Sequence, residues 1–262
     1  MKGAKPDALN VWNELQARFV ASGVVVFLDY DGTLTPIAQR PDLAVLSPAM
    51  RDTLRRVANC WPTAIVTGRA LDQIQKLVDM PELTYAASHG FDIEGPDVYY
   101  QVGRESREEI NKAFEEITER IGRIEGVLIE NKVFTIAVHF RLVAPDRTDA
   151  VVAAAREVAA AHGLRVTGGK MVIEMRPDID WNKGTAVRWL AARHAGYVPL
   201  YIGDDTTDED AFRAIRGDGI GVLVAPTPRE TTASYTLPDV AGVEELLRRL
   251  STIPSGTGAP QS

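Results

Sequence analysis

The feature that most constrains the fold is a series of short, uninterrupted apolar runs separated by amphipathic segments. The first three runs are GVVVFLDY at 23–30, TAIVT at 63–67 and LTYAAS at 83–88. Short apolar runs that are rich in β-branched residues and bounded by turn residues are typical of strands buried on both faces. Because helical segments lie between the runs, the order of elements indicates β-α-β connections. The sequence therefore predicts an α/β fold built on a doubly wound parallel sheet.

Helix signals support this alternation. Ser47 followed by Pro48 supplies an N-cap and a proline at the first helical position, which predicts a helix through 51–59. Further helices are expected near the N-terminus and at 70–78. Later in the chain the pattern predicts a helix at 183–195, a strand at 200–204, a helix at 207–215, a strand at 219–224 and a helix at 240–250.

The segment from about Gln101 to Pro177 has a different pattern. One face of an amphipathic helix is marked by Ile110, Phe114, Ile117, Ile121 and Ile124. After it come VLIE and VFTIAVHFR around a turn at Asn131, a helix at 148–162, and LRVT and KMVIEMR around a turn at Gly168-Gly169. This αββαββ order predicts a smaller α+β unit with an antiparallel sheet, inserted within the α/β domain. We expect the α/β core at 1–100 and 178–250, the inserted domain at 101–177, and a disordered Gly/Pro-rich tail at 251–262.

Composition excludes several classes of function. The formal net charge of −7 argues against a nucleic-acid partner and against binding to anionic membranes. Cys60 is the only cysteine, so no disulfide can form within the chain, and a reducing compartment fits. No signal peptide or membrane-spanning run is evident. We therefore expect a cytoplasmic protein, and a monomer is compatible with the sequence.

Carboxylates accumulate where the predicted strands end. Asp29 and Asp31 close the first strand, Thr67-Gly68-Arg69 closes the second, and Gly203 to Asp208 follows a later one. Ligands of doubly wound sheets bind beyond the carboxyl ends of the strands. So many carboxylates in one place need a cation, and oxygen ligands with few histidines favour Mg²⁺ over zinc. Helix N-capping could account for the acids from Asp208 onward, but not for Asp204 and Asp205 at the strand end.

Lys183 is a second unusual feature. It begins a predicted helix, just after a candidate cap at Asp180 or Asn182, where the helix dipole disfavours a positive charge. Two interpretations stay open at this point. An exposed lysine tolerates the position at a small cost, whereas a buried one would face an anion, either a carboxylate or a bound phosphate.

Taken together, these residues resemble the four motifs of the haloacid dehalogenase superfamily of phosphatases. DYDGT at 29–33 is similar to the first motif, TGR at 67–69 to the second, Lys183 to the third and GDDTTD at 203–208 to the fourth. The resemblance implies a core with a Rossmann-like sheet. It also implies a reaction that passes through an aspartyl-phosphate on Asp29.

The same resemblance implies a role for each motif residue. Asp29 is the nucleophile, and Asp31 protonates the leaving alkoxide and then deprotonates water. Mg²⁺ is held by Asp29, the Asp31 carbonyl and Asp204. The remaining implied roles are a grip on the phosphoryl oxygens by Thr67 and Lys183, and orientation of metal-bound water and of Lys183 by Asp205 and Asp208.

A finer resemblance covers most of the chain. SHGFDIEGP, ENKVFTIAVHFR, GKMVIEMRPDIDWNKG and YIGDDTTDEDAF are similar to the trehalose-6-phosphate phosphatase family, whose C2-type cap lies between the second and third motifs. This resemblance implies trehalose 6-phosphate as substrate, a place in trehalose biosynthesis, and functional coupling to a trehalose-6-phosphate synthase. The cap residues that it implies for sugar binding are Glu130, Lys132, Lys170 and Glu174, with Arg141 nearby; Arg69 and His89 are further candidates for substrate contact.

Some alternatives remain at this stage. The residues alone fit an ordinary Lys/Glu ladder on an exposed sheet, and His89 could equally contact substrate or hold its own loop. Related phosphatases of sucrose phosphate or of mannosyl- or glucosyl-phosphoglycerate are rival enzymes. A receiver-like phospho-acceptor is disfavoured by the inserted cap, and a silent binding protein by the presence of Asp31 and Lys183.

Overall fold

The computed structural model describes residues 5–38, 40–169 and 171–254. The chain divides into two compact units. One, here called the core unit, runs to Tyr100 and resumes at Trp181; the other, here called the insertion, spans Gln101–Asp180. No helix in the described part of the chain is long and apolar enough to cross a membrane.

The elements follow one another in this order: α1 (Trp12–Ser22), β1 (Val24–Leu28), α2 (Pro48–Cys60), β2 (Thr63–Val66), α3 (Leu71–Val78), β3 (Thr84–Ala87), β4 (Asp92–Gly95), β5 (Val98–Gln101), α4 (Arg107–Ile121), β6 (Leu128–Asn131), β7 (Ile136–His139), α5 (Pro145–Ala161), β8 (Leu164–Gly169), β9 (Val172–Pro177), α6 (Lys183–Ala191), β10 (Val198–Gly203), α7 (Asp208–Ala214), β11 (Ile220–Val224), β12 (Tyr235–Leu237) and α8 (Val240–Leu250). Short 3₁₀ turns lie at Pro41–Leu43, Ser88–Gly90 and Arg104–Ser106.

The core unit is organised around one large sheet with the strand order β12-β11-β10-β1-β2-β3-β4-β5. The strands from β12 to β3 are parallel, and Leu28 of β1 lies in register with Ile202 of β10 and with Ile65 of β2. Apolar clusters cover both faces, one including Leu28, the other Phe27. The prediction of a doubly wound α/β sheet is therefore confirmed, and the carboxyl ends of β1, β2 and β10 lie side by side.

Helix caps form where the sequence predicted them. The Ser47 hydroxyl accepts a hydrogen bond from the Met50 amide at 3.0 Å, and Pro48 occupies the first helical position of α2. At the start of α6 the Asn182 side chain accepts from the Thr185 amide at 3.0 Å, so Asn182 rather than Asp180 is the cap. This capping bond fixes the position at which Lys183 enters the helix.

The insertion is an antiparallel sheet with the order β6-β7-β9-β8. Its apolar face packs against α4 and α5, and the cluster includes Ile117, Val138, Val158 and Met175. The opposite face carries Ala137, which pairs with Glu130 of β6 on one side and with Glu174 of β9 on the other. Since directly paired residues point to the same face, both glutamates lie on this second face.

Two local predictions were wrong, and two strands were not predicted. The sheet of the core unit continues past β3 into β4, which is antiparallel to β3, and ends in β5; the sequences of these strands, DIEG and VYYQ, are too short and mixed to indicate them. Gly168 and Gly169 lie inside β8, and the chain reverses after them, with Met171 at φ +64°. The first part of the predicted tail is ordered, since Ile253 is buried in the core; residues 255–262 lie outside the described residues.

Candidate active site

The acids predicted at neighbouring strand ends come together at the carboxyl edge of the core sheet. Asp29 follows β1, and its amide donates to the Ile202 carbonyl of β10 at 2.9 Å. Asp204 follows β10, and Asp208 begins α7. One carboxylate oxygen each from Asp29, Asp204 and Asp208 lie within 4.8 Å of one another. Three oxygen donors at this spacing could hold a divalent cation.

Lys183 lies between two of these carboxylates. Its Nζ is 2.7 Å from Asp29 Oδ1 and 2.8 Å from Asp208 Oδ1, and its side chain is 3% exposed. Asp208 also accepts from the Tyr201 hydroxyl at 2.6 Å and from the Asp205 amide at 2.8 Å. Of the two interpretations of Lys183, the structure therefore supports the one in which it faces an anion.

These contacts change the protonation of the site. Burial lowers the pKa of Lys183, but the Asp208 and Asp29 carboxylates outweigh burial, so the pKa is raised and the ammonium keeps its proton. Burial raises the pKa of Asp29 well above its ordinary value; Lys183 opposes this shift, while Asp208 and Asp204 add to it. A divalent cation beside Asp29 would favour the ionised carboxylate.

Two glycines allow the acidic cluster to be this tight. Gly32 has φ +85°, and a Cβ there would overlap the Asp204 carboxylate. A Cβ on Gly203 would likewise overlap the carboxylate of Asp208. Any larger residue at these positions would push the acids apart, which gives the glycines of DYDGT and GDDTTD a physical role.

Asp31 lies next to the cluster and is held by Arg69. The guanidinium donates from Nε to Oδ2 at 2.7 Å and from Nη2 to Oδ1 at 2.6 Å. Its Cζ also lies over the Tyr30 ring, 5.3 Å from the ring centroid. Among the described residues, the carboxylates of Asp31 and Asp205 lie outside the group formed by the other three acids. Arg69 thus binds an acid of this site, a contact that the sequence did not predict.

The loop after β3 is strained and lies against the second motif. Ser88 and His89 have φ of +47° and +58°, a region that non-glycine residues rarely adopt. The His89 amide donates to the Thr67 carbonyl, and the Ser88 amide donates to the Arg69 carbonyl, each at 2.8 Å. The imidazole covers Gly68, where an added Cβ would lie 2.7 Å from Nε2. Strain of this kind is typical of functional sites and persists only where neighbours enforce it.

The polar residues predicted for the insertion form pairs within its sheet. Glu130 Oε2 is 2.7 Å from His139 Nε2. Glu174 accepts from the Thr135 hydroxyl at 2.9 Å and from Lys132 Nζ at 3.3 Å. Arg141 is exposed just after β7, and Lys170 lies outside the described residues.

Some residues of the site were not anticipated. Tyr201 is fully buried in β10, and its hydroxyl has Asp208 as a partner; a buried tyrosine needs such a partner, so this signal was present in the sequence. Arg229 Nη2 donates to the Asp204 carbonyl at 2.7 Å. No sequence signal indicated Arg229, because it lies in a loop 25 residues further along the chain.

Comparison with known proteins identifies the family to which a chain with this site belongs. The model of the family described as trehalose-phosphatase matches residues 27–241, which include all four motifs and the whole insertion. The chain belongs to the trehalose-phosphatase family. It is therefore a phosphatase of the phosphoric monoester hydrolase class, and the resemblance seen in the motifs is confirmed.

Individual members of the trehalose-phosphatase family are similar over nearly the whole chain. Trehalose 6-phosphate phosphatase RA3 of Zea mays is 42% identical, over 94% of this chain and 74% of its own length. Trehalose-phosphate phosphatase B of Arabidopsis thaliana is 41% identical, over 94% of this chain and 71% of its own length. A crystal structure of a trehalose-6-phosphate phosphatase related protein has a TM-score of 0.78 and 26% identity, covering 87% of this chain and 96% of that one.

Proposed function

We propose that this chain hydrolyses trehalose 6-phosphate to trehalose and phosphate, with Asp29 as nucleophile and Mg²⁺ as cofactor. The observation that carries the proposal is the position of Asp29, with its carboxylate 2.7 Å from the Lys183 ammonium at the edge of an acidic cluster. Similarity to trehalose-phosphate phosphatases over 94% of the chain supports the choice of substrate.

The described residues fit a divalent cation. Asp29 and Asp204 supply carboxylate oxygens, and the resemblance adds the Asp31 carbonyl as a third ligand. Asp208 lies in the same group, but its Oδ1 already accepts hydrogen bonds from Lys183 and Tyr201 and its Oδ2 accepts from the Asp205 amide, so we assign it to positioning Lys183. Oxygen donors without histidine favour Mg²⁺ over zinc. When bound, the cation supplies neutralisation of the nucleophile and of the phosphoryl oxygens.

The reaction has two steps at Asp29. In the first, an Asp29 oxygen forms a bond to phosphorus, the ester P–O bond breaks, and Asp31 gives a proton to the departing sugar oxygen. In the second, water attacks the aspartyl-phosphate, Asp31 takes its proton, and the Asp29 carboxylate is restored. Lys183 and Thr67 hold phosphoryl oxygens in both steps.

Arg69 contributes to the order of these events. In this structure both Asp31 oxygens accept from its guanidinium. A phosphoryl group offers the same bidentate geometry and more negative charge, so it competes for Arg69. We infer that substrate binding draws Arg69 toward phosphate and releases Asp31 for proton transfer.

The insertion supplies recognition of the sugar. Glu130, Lys132 and Glu174 lie on the strands β6 and β9 or next to them, and their charged groups are paired with one another or with His139. In this proposal, these charged groups give up part of this pairing for hydrogen bonds to sugar hydroxyls when substrate binds. We further propose a cytoplasmic enzyme that acts after a trehalose-6-phosphate synthase; the single cysteine fits a reducing compartment.

The test is phosphate release from a panel of sugar phosphates with and without Mg²⁺. The panel contains trehalose 6-phosphate, sucrose phosphate and glucosyl- and mannosyl-phosphoglycerate, and D29N serves as the control without a nucleophile. We expect Mg²⁺-dependent release that is fastest from trehalose 6-phosphate and is abolished in D29N. Faster release from another member of the panel would refute the substrate assignment, and an active D29N would refute the covalent mechanism.

A further inference from the structure

The chain leaves and re-enters the core unit at two aromatic residues that contact each other. Tyr100 is the last residue of the core unit before the insertion, and Trp181 is the first after it. Their ring centroids are 5.8 Å apart. The Tyr100 ring also stacks on Trp189 of α6, with centroids 4.6 Å apart and planes at 16°. We call Tyr100, Trp181 and Trp189 the aromatic clasp.

The clasp is connected to the strained loop of the active site. The Trp181 indole Nε1 donates to the Gly90 carbonyl at 2.8 Å. Gly90 follows His89, whose amide donates to the Thr67 carbonyl of the second motif. A Cβ on Gly90 would overlap the Ala186 side chain, so this loop lies directly against α6.

The clasp is also connected to Lys183 through the main chain. Trp181 immediately precedes Asn182, the cap of α6, and Lys183 is the first residue of that helix. A shift of the Trp181 ring would therefore be transmitted to the cap and to the ammonium beside Asp29. Trp189 belongs to the same helix, two turns later, so the helix that carries Lys183 also provides the surface on which Tyr100 stacks.

We propose that Trp181 is a positioning residue for the phosphatase reaction, and that the aromatic clasp ties both ends of the insertion to the helix that carries Lys183. Trp181 acts through the Gly90 carbonyl on the strained loop and through Asn182 on Lys183. The positive φ of Ser88 and His89 needs external restraint, and the indole hydrogen bond is part of that restraint. The substrate-dependent part of this inference rests on the proposed function, because it assigns sugar recognition to the insertion.

Two variants separate the two parts of the proposal. W181F keeps an aromatic ring but removes the N–H donor, so we expect kcat to fall about tenfold on both trehalose 6-phosphate and p-nitrophenyl phosphate, the scale on which distant packing changes act. Y100L removes the ring that joins the two ends of the insertion. It should lower kcat/KM about fivefold more on trehalose 6-phosphate than on p-nitrophenyl phosphate, because the small ester does not need sugar recognition.

Matched controls and a measurement without substrate complete the test. W12F changes another half-buried tryptophan, on α1, and Y100F keeps the ring at position 100; both should behave like the wild type. Hydrogen exchange should be faster at the amides of residues 88–91 in W181F, with little change in melting temperature. Wild-type kcat and wild-type exchange in W181F would overturn the positioning role. Equal losses on both substrates in Y100L would overturn the tie to the insertion.

Failure of the proposed function can be distinguished from failure of the positioning role of Trp181. A wild-type enzyme that cleaves p-nitrophenyl phosphate but not trehalose 6-phosphate would refute the substrate assignment. The exchange of residues 88–91 and the p-nitrophenyl phosphate kcat of W181F would still decide the role of Trp181.

Discussion

Replacing Lys183 with methionine should both destabilise the protein and abolish its activity. The substitution keeps most of the side-chain volume but removes the ammonium that lies 2.7 Å from Asp29 and 2.8 Å from Asp208. Both carboxylates are buried, at 5% and 0% exposure, so they would lose their counter-charge where water cannot replace it. Breaking a buried ion pair by removing one partner costs about 3–5 kcal/mol. Because a typical protein is stable by about 5–15 kcal/mol, the loss is a large fraction of the total.

The assay is urea unfolding followed by circular dichroism, with a control that removes an exposed ion pair. Lys76 is 3.3 Å from Asp72, but its side chain is 77% exposed, so K76M should cost no more than about 0.5 kcal/mol. The double variant K183M/D208N removes one of the two stranded charges, so it should regain part of the stability while remaining inactive. Added Mg²⁺ should stabilise K183M more than the wild type, because the site has gained negative charge.

The result that would refute this reasoning is specific. If K183M lost no more stability than K76M, the ammonium would not be the counter-charge of Asp29 and Asp208. If K183M retained activity, Lys183 would have no part in binding the phosphoryl group.

The remaining predictions concern the metal, the insertion and pH. Treatment with EDTA should stop hydrolysis, and Mg²⁺ but not Zn²⁺ should restore it; activity in a verified metal-free sample would contradict the metal assignment. E130A should lose about 2–4 kcal/mol of transition-state stabilisation on trehalose 6-phosphate, measured by kcat/KM, and almost none on p-nitrophenyl phosphate. Hydrogen bonds to Glu116 and Glu109 raise the pKa of His162 in the folded protein. The stability that protonated His162 gives to the fold is therefore complete below about pH 6.5, the pKa of an unperturbed histidine, and is lost as the pH rises through the raised pKa of the folded state. Melting temperatures measured at pH 5.5 and pH 8.5 should therefore differ less in H162Q than in the wild type, and an equal difference would count against this pair.

The parts of the fold that the sequence predicts are those that local pattern controls. Strand β1 is apolar along its whole length, and α2 has both its cap and its proline, so the local sequence alone is enough to indicate each of them. Strands β4 and β12 have mixed and short sequences and exist because a neighbouring strand offers free hydrogen-bonding groups. Pairing of that kind is a tertiary effect that a local pattern does not contain.

The same limit applies to the site. The order of the motifs brings Asp29, Asp204 and Lys183 to one edge of the sheet, and the sequence could predict this. The direction of Asp208 did not follow from the local pattern, because acids in the first turn of a helix are usually explained by the helix dipole; only the family resemblance implied that it orients Lys183. Here Asp208 points inward, to Lys183 and Tyr201. The pairing of Arg69 with Asp31, 38 residues apart, likewise depends on a contact between two strand ends.

The charges of the site imply that the cation matters for binding as well as for chemistry. Three clustered carboxylates against the single ammonium of Lys183 leave two formal negative charges, and Arg69 is already balanced by Asp31. A phosphate monoester, itself close to a dianion at neutral pH, would be repelled by that excess, which one divalent cation cancels. Removal of the metal should therefore weaken the binding of inorganic phosphate to the enzyme, and not only the rate of turnover. D204N carries one negative charge fewer, so in metal-free buffer it should bind phosphate more tightly than the wild type, whereas with Mg²⁺ the order should reverse because Asp204 is needed to hold the cation. Calorimetric titration with phosphate under both conditions measures this reversal, and the same order in both buffers would show that charge balance does not control access to the site.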